Sequence, residues 1–193
     1  MKCWGANFLG ESKPPHGLTA IGIAAGAFHT CAIQEITGAV VCWGDTVYGE
    51  STPPDSVNGT TGSAIGIAAG NSYSCAIREV DQAVACWGSN DGGQATPPDS
   101  VNGVSGHAFT LAAGSHHACA VQDPSGNIAC WGLNSAGQSS PPHAFAYALA
   151  AGTTHTLAIV KAPEADERWL GAASVLVLLA IRRRRTVHPG LSR

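Results

Sequence analysis

Large hydrophobic residues alternate with small ones at four places along the chain. The pairs are Ile21 and Ile23, Ile65 and Ile67, Phe109 and Leu111, and Tyr147 and Leu149, each just before an Ala-Ala-Gly tripeptide. Alternation of period two predicts a strand with one buried face, here the face carrying those large side chains. In the first unit a second strand is expected over 30–34, a turn over 35–38 and a third strand over 40–43. The Asp91-Gly92-Gly93 cluster and each Pro-Pro pair then interrupt regular pairing. A fourth strand between that break and the next unit is a further expectation.

These elements recur. Cys-Trp-Gly begins at Cys3, Cys42, Cys86 and Cys130, in steps of 39, 44 and 44. Ala-Ala-Gly ends at Gly26, Gly70, Gly114 and Gly152, and Pro-Pro begins at Pro14, Pro53, Pro97 and Pro141. The octapeptide TPPDSVNG at 52–59 returns unchanged at 96–103. A period of 44 residues carried by coincident series is an array. Three or four antiparallel strands per unit, repeated, read as β-propeller blades, an all-β fold over residues 1–160.

The string G-x-x-H-T-C-A-I followed by V-x-C-W-G-x-N-x-x-G-Q resembles the regulator-of-chromosome-condensation repeat. It is carried by 26–33 with 41–49, and by 114–121 with 129–138. The resemblance implies a seven-bladed propeller, of which about four units are present here. Tyr73 in place of His, Asp45 in place of Asn, and Glu11 and Glu50 in place of Gln are departures of the kind repeats accumulate.

Six cysteines form three pairs separated by 11 positions: Cys31 and Cys42, Cys75 and Cys86, Cys119 and Cys130. The expected hairpin turn lies midway, so each pair would face across adjacent antiparallel strands at roughly disulfide range. Each bridge would close a loop of about a dozen residues and contribute on the order of 2–3 kcal/mol. A zinc site would want C-x₂-C spacing, which is absent. Reduced structural cysteines of a cytosolic propeller are the other alternative. Disulfides place the chain in an oxidising compartment.

The Cys31 position of the last unit holds Leu157, and Cys3 has no upstream mate. No secretory signal precedes Cys3. Both are expected if Met1 is not the natural start, or if these residues are the C-terminal part of a longer chain. A truncated array would have open edges and self-associate through unpaired strands.

His29, His117 and His155 share one repeat position with Tyr73, which fits a structural hydrogen-bonding role better than a ligand or base. Trp4, Trp43, Trp87 and Trp131 are equally periodic and read as core or inter-blade packing. Asn58-Gly59-Thr60 fits a glycosylation sequon. No catalytic motif, metal set or phosphate-binding glycine loop is present, so no cofactor is expected.

Charge divides the chain. Residues 1–160 carry three basic groups (Lys2, Lys13, Arg78) against ten acidic ones, a net of −7, whereas the 193-residue whole is −3. An acidic body argues against nucleic acid as partner. Residues 161–168 are polar and read as a linker. Over 169–181, beginning at Trp169, there is no charge, and Arg182, Arg183, Arg184 and Arg185 follow. A helix there would be about 20 Å long against a hydrocarbon core of about 30 Å. The arginines would hold its end in the cytoplasm and leave the repeats outside. The tail resembles the bacterial PEP-CTERM sorting signals, which implies membrane association and recognition by an exosortase.

The expected function is a non-catalytic binding or scaffold module at the bacterial cell envelope, taking a protein or glycan on its inter-strand loops. Three loops follow Cys-Trp-Gly and differ in sequence within repeated surroundings. They contribute Asp45, Val47 and Tyr48; Ser89, Asn90 and Asp91; and Leu133 and Asn134. The alternative is a propeller enzyme, of hydrolase or lyase type, with a site in the channel or on one face. Guanine-nucleotide exchange, which the family resemblance also raises, conflicts with the disulfides and the acidic body.

Overall fold

Eleven β-strands and no helix make up the regular structure of the described residues. The structure, a computed structural model, describes residues 1–162. Met1–Lys161 form one compact unit. Three sheets have three strands each: β1 (Ala20–Ala25), β2 (His29–Gln34) and β3 (Val40–Gly44); β4 (Ala64–Ala69), β5 (Tyr73–Arg78) and β6 (Val84–Gly88); β7 (His107–Ala113), β8 (His117–Asp123) and β9 (Ile128–Gly132). A fourth sheet has two, β10 (Ala146–Ala151) and β11 (Thr156–Val160). All pairings are antiparallel, as in propeller blades. The tail residues Trp169 and Arg182–Arg185, with the expected helix and the expected linker from residue 163 on, lie outside the described residues. Among the described residues no helix is long and apolar enough to cross a membrane.

Among the described residues no sheet has a fourth strand. After the first and second sheets its place is taken by the repeated octapeptide, folded as a turn. In the first blade the Val57 and Asn58 N–H groups both donate to Pro54 O, and the Val40 N–H donates to Val57 O, at 3.0, 3.1 and 2.8 Å. Asn58 Nδ2 donates to Pro53 O and Asp55 Oδ1, and its Oδ1 accepts from Thr60 N. Asn102 repeats the pattern without a sequon. Proline cannot donate to a ladder, so Pro-Pro stops pairing here, and Val57 and Val101 are buried against the third strand's edge.

The face of the first strand expected to be buried is mostly exposed; of its large side chains only Ile67 and Leu111 pack against the apolar clusters. Ile21, Ile23, Ile65, Phe109 and Tyr147 are exposed, Ile21 by 68%. Ala64, Ala68, Ala108, Ala112 and Ala146 are buried instead. A Cβ on Gly22 would stand 3.1 Å from Ile33 Cδ1, and one on Gly66 3.2 Å from Ile77 Cδ1. Core volume is filled from the second strand, so only small residues fit opposite it.

The second strand is the middle of each three-stranded sheet and is mostly buried. The apolar clusters lie between blades. Cys31, Ile33 and Val40 of the first blade pack with Ala64, Ala76 and Trp87 of the second. Tyr73, Cys75 and Ile77 of the second pack with Ala108, Ala118 and Trp131 of the third. Cys31 opposes Cys42, Cys75 opposes Cys86 and Cys119 opposes Cys130 in register, and all three pairs are disulfides.

Candidate functional site

Each candidate loop leaves the third strand through a glycine and ends on a buried Glu or Gln. The residue after the glycine (Asp45, Ser89 or Leu133) donates its N–H to the carbonyl of Phe28, Ser72 or His116, at 2.8 Å in every case. Glu50 Oε2 then accepts from Tyr48 N, Gln94 Oε1 from Gly92 N and Gln138 Oε1 from Ala136 N, at 2.7–2.8 Å. The acidic and amide side chains are interchangeable here because the job is to accept a backbone N–H. Glu11 does the same for Phe8 and Leu9, and backbone donors, its own N–H foremost, hold its carboxyl below the usual range.

The same position binds the next blade. The carbonyl of Glu11 accepts the Trp43 indole N–H at 2.9 Å, that of Glu50 accepts Trp87 at 2.8 Å, and that of Gln94 accepts Trp131 at 2.8 Å. Trp43, Trp87 and Trp131 thus act as inter-blade packing, as their period suggested. Trp4 is 87% exposed.

The histidine position also spans the joint between blades. His29 Nε2 lies 2.8 Å from Ser74 Oγ, whose hydroxyl donates to Glu50 O. His117 Nε2 lies 2.8 Å from Thr156 Oγ1, which donates to Gln138 O. Each hydroxyl is committed to a carbonyl, so the imidazole is the donor and carries its proton on Nε2. Burial pushes both imidazoles below the usual histidine value, opposed at His29 by Glu50 and Asp45 and reinforced at His117 by His155. Tyr73 meets Ala118, which has no hydroxyl, and its OH donates instead to the carbonyls of Gly114 and His117. Burial raises its phenol well above the ordinary value.

Of the predicted loop residues, several serve the loop itself. Asp45 Oδ1 accepts from Thr46 and Val47 N, Asn90 binds Thr96 and Ala95, and Asn134 binds Ser140 and Ser139. Ser89 Oγ accepts from Gln94 Nε2. Val47, Tyr48, Asp91 and Leu133 face solvent. Consecutive loops touch: a Cβ on Gly88 would meet Glu50 Cβ at 3.2 Å, and one on Gly92 would meet Leu133 Cβ at 3.7 Å. The loops form one continuous rim whose outward positions differ. Among the described residues no group of three or more His, Cys, Asp or Glu side chains is placed to hold a metal ion.

A second surface was missed in the sequence because its residues were assigned to the core. β1, β4, β7 and β10 pack side by side from blade to blade, which aligns exposed Ile21, Ile65, Phe109 and Tyr147. The tilted Phe145–Tyr147 ring pair, with centroids 5.2 Å apart, lies at one end. Exposed large hydrophobics at one repeat position would have been the signal.

Residues 20–50 match the family model of the regulator of chromosome condensation (RCC1) repeat. No curated protein matches the chain. Among solved structures, the ectodomain of the Physcomitrella patens receptor kinase CR4 is 24% identical, with a TM-score of 0.68 over 85% of this chain and 41% of that one. The CRINKLY WD40 ectodomain of the Arabidopsis thaliana receptor kinase ACR4 is 26% identical, with a TM-score of 0.56 over 72% and 45%. Yeast RCC1 (Prp20), solved with Kap60 bound to it, is 17% identical, with a TM-score of 0.58 over 76% and 43%. The chain spans less than half the length of these structures. Residues 20–50 thus match an RCC1 repeat, and the described residues as a whole share the propeller-blade fold of these structures.

Proposed function

We propose that the protein is a non-catalytic scaffold that binds a protein or glycan on the rim formed by its post-Cys-Trp-Gly loops, at the outer side of a bacterial cell envelope. The observation that carries this reading is the division of labour inside each loop. Asp45, Asn90, Asn134 and the buried Glu or Gln keep the backbone constant, while Val47, Tyr48, Asp91 and Leu133 vary on the outside. A repeated scaffold with changeable outward positions suits recognition and needs no reactive group. RCC1-type and WD40-type neighbours support a protein-binding role, since one was solved holding Kap60. Three disulfides agree with an oxidising location, and two of the matched structures are receptor ectodomains. Attachment through the hydrophobic and arginine-rich tail, sorted as PEP-CTERM proteins are, is the corresponding proposal for anchoring.

The test is a pull-down from envelope extract with the full chain beside a variant carrying Val47→Ser, Tyr48→Ser, Asp91→Ser and Leu133→Ser. All four side chains are outward and the internal loop bonds are kept. Loss of the captured partner in the variant is expected, with little dependence on salt, because only three basic groups stand in residues 1–160. Equal capture by both would remove the rim as the site. Substrate turnover abolished by changing a single acidic or His residue would replace the reading with an enzyme.

A further inference from the structure

The third and fourth residues after each Cys-Trp-Gly glycine occupy the tip of a rim loop. They are Phe8 and Leu9, Val47 and Tyr48, Asp91 and Gly92, and Ser135 and Ala136. The loop's own bonds turn each tip out. The fourth residue donates its N–H to the Glu or Gln that ends the loop: Leu9 to Glu11, Tyr48 to Glu50, Gly92 to Gln94 and Ala136 to Gln138, at 2.7–2.8 Å. The glycine that follows has φ between +80° and +92° in all four loops. Asp91 and Ser135 are exposed in the later loops as Phe8 and Val47 are in the earlier ones. Exposure of the tip therefore belongs to the loop and not to its place along the array.

What the tips present divides the rim in two. The loops ending on Gln94 and Gln138 show small or acidic tips, with Leu133 beside them. The loops ending on Glu11 and Glu50 show Phe8, Leu9, Val47 and Tyr48, all exposed, Phe8 by 85% and Val47 by 77%. These two loops are neighbours, since a Cβ on Gly44 would stand 3.3 Å from Glu11 Cα. Exposed Phe28 joins them, because its carbonyl accepts the Asp45 N–H at the base of the second loop. Five large apolar side chains thus stand on adjoining stretches of backbone. The polar groups between them are spent inside the loops. Asn7 Oδ1 accepts from Ser12 N, Ser12 Oγ donates to Ala6 O, and Ser51 Oγ donates to Asp45 O. The carboxylates of Glu11, Asp45 and Glu50 all accept main-chain N–H groups.

We infer that, the rim being the binding site proposed above, its partner is a protein, held by a short segment whose aromatic or branched aliphatic side chains seat on Phe8, Leu9, Phe28, Val47 and Tyr48. A glycan is read by donors and acceptors converging around a flat ring face, and Leu9 and Val47 beside the rings supply neither. A protein contact is centred on apolar and aromatic side chains, with charge kept out of the middle. Because the three carboxylates are turned to main-chain N–H groups, complementarity asks for a segment that is uncharged where it touches the patch. Size selects a segment over a folded surface. Five side chains of this kind and exposure present on the order of 500 Å², enough to mark an interaction site. A second copy or another folded domain would need about 800 Å² from each side. The opposite half of the rim, with Asp91 and Ser135 at its tips, is left to flank the contact.

The probe is a phage-displayed library of random dodecapeptides, selected on the full chain, with the enriched sequences then titrated as synthetic peptides. They are expected to carry several of Phe, Tyr, Trp, Leu, Ile and Val. Affinity should fall about tenfold or more on Val47→Ser with Tyr48→Ser. It should stay within about twofold on Asp91→Ser with Ser135→Ala, and on Tyr48→Phe, which keeps the ring and removes the hydroxyl. Mapping the three native disulfides in each variant separates a folding defect from a binding one. No enriched peptide, or enrichment without apolar side chains, would overturn the inference. Affinity lost on Asp91→Ser with Ser135→Ala, but kept on Val47→Ser with Tyr48→Ser, would leave the rim as the site and overturn its apolar half. Affinity kept on both pairs would overturn the inference together with the rim. Retention on an oligosaccharide array that Tyr48→Phe abolishes would make the partner a glycan and overturn the protein. Self-association of the full chain that Val47→Ser with Tyr48→Ser abolishes in sedimentation would make the occupant a second copy, and overturn the separate partner.

Discussion

The joint between the first two blades and the joint between the second and third solve one problem with different chemistry. At the first, His29 donates to Ser74, and Ser74 donates in turn to Glu50 O, while His29 Nδ1 is buried with no hydrogen-bond partner among the described residues. At the second, Ala118 removes the hydroxyl, and the longer Tyr73 reaches past it to main-chain carbonyls. The joint to the fourth sheet returns to the first solution with His117 and Thr156. Substitution at a repeat position is therefore drift only in appearance: its partner in the next blade changes with it. A buried donor must find an acceptor, and the two ends of each contact come from different units.

Cutting the ring out of the second joint should give the largest effect. Tyr73 is the bulkiest fully buried side chain among the described residues, and Tyr73→Ala is expected to cost about 3–5 kcal/mol, read as a lowered denaturation midpoint. Removing the covalent lock beneath it, by Cys75→Ala with Cys86→Ala, should cost about 3 kcal/mol, the value for a closed loop of roughly a dozen residues. An unchanged midpoint would mean that the unfolded chain is already constrained there.

Converting one joint into the other is the sharper experiment. Tyr73→His alone should cost about 1–3 kcal/mol, because the imidazole faces Ala118. Adding Ala118→Ser should recover part of that, with a coupling of about 1 kcal/mol in a double-mutant cycle. Strict additivity would break the comparison.

The two chemistries should also fail at opposite ends of the pH scale. Burial lowers the folded-state values of His29 and His117 below 6.5, so their contribution is complete above about pH 6.5. It is lost as the pH falls below that, because the unfolded chain then binds protons that the folded chain excludes. Burial raises Tyr73, so its contribution is complete below about pH 10 and is lost above it. Replacing His29 and His117 together by Gln should flatten the acid limb of a stability profile and leave the alkaline limb in place.

The smallest effect concerns the turn between the second and third strands. Gly38 and Gly126 take φ +67° and +68° there, while Gln82 takes +55° at the same position. Gln82→Gly should stabilise the second blade by up to about 1 kcal/mol, since relief of left-handed strain outweighs the added freedom of the unfolded chain. A loss of stability would show that the Gln82 side chain contributes there.

The repeat, the strand order within a unit, the antiparallel hairpins and the cysteine pairing were all legible in the sequence. Each follows from local spacing: period two, a turn midway between two cysteines, prolines that cannot join a ladder. The spacing also located the rim loops, because Cys-Trp-Gly marks where each begins. Which loop residues point outward was not legible, since Asp45, Asn90 and Asn134 are polar in sequence yet bonded within their own loops. Nor was the buried face of β1, β4, β7 and β10. Alternation says that two faces differ, but only packing says which one the neighbouring strand fills, and Ile33 and Ile77 leave room for Gly and Ala alone. The sequence by itself determined the blade, because a blade is built from contacts within 44 residues. The tertiary structure decided the joints, pairing His29 with Ser74 and Trp87 with Glu50, because those contacts form between units, whose periodicity does not record which residues meet.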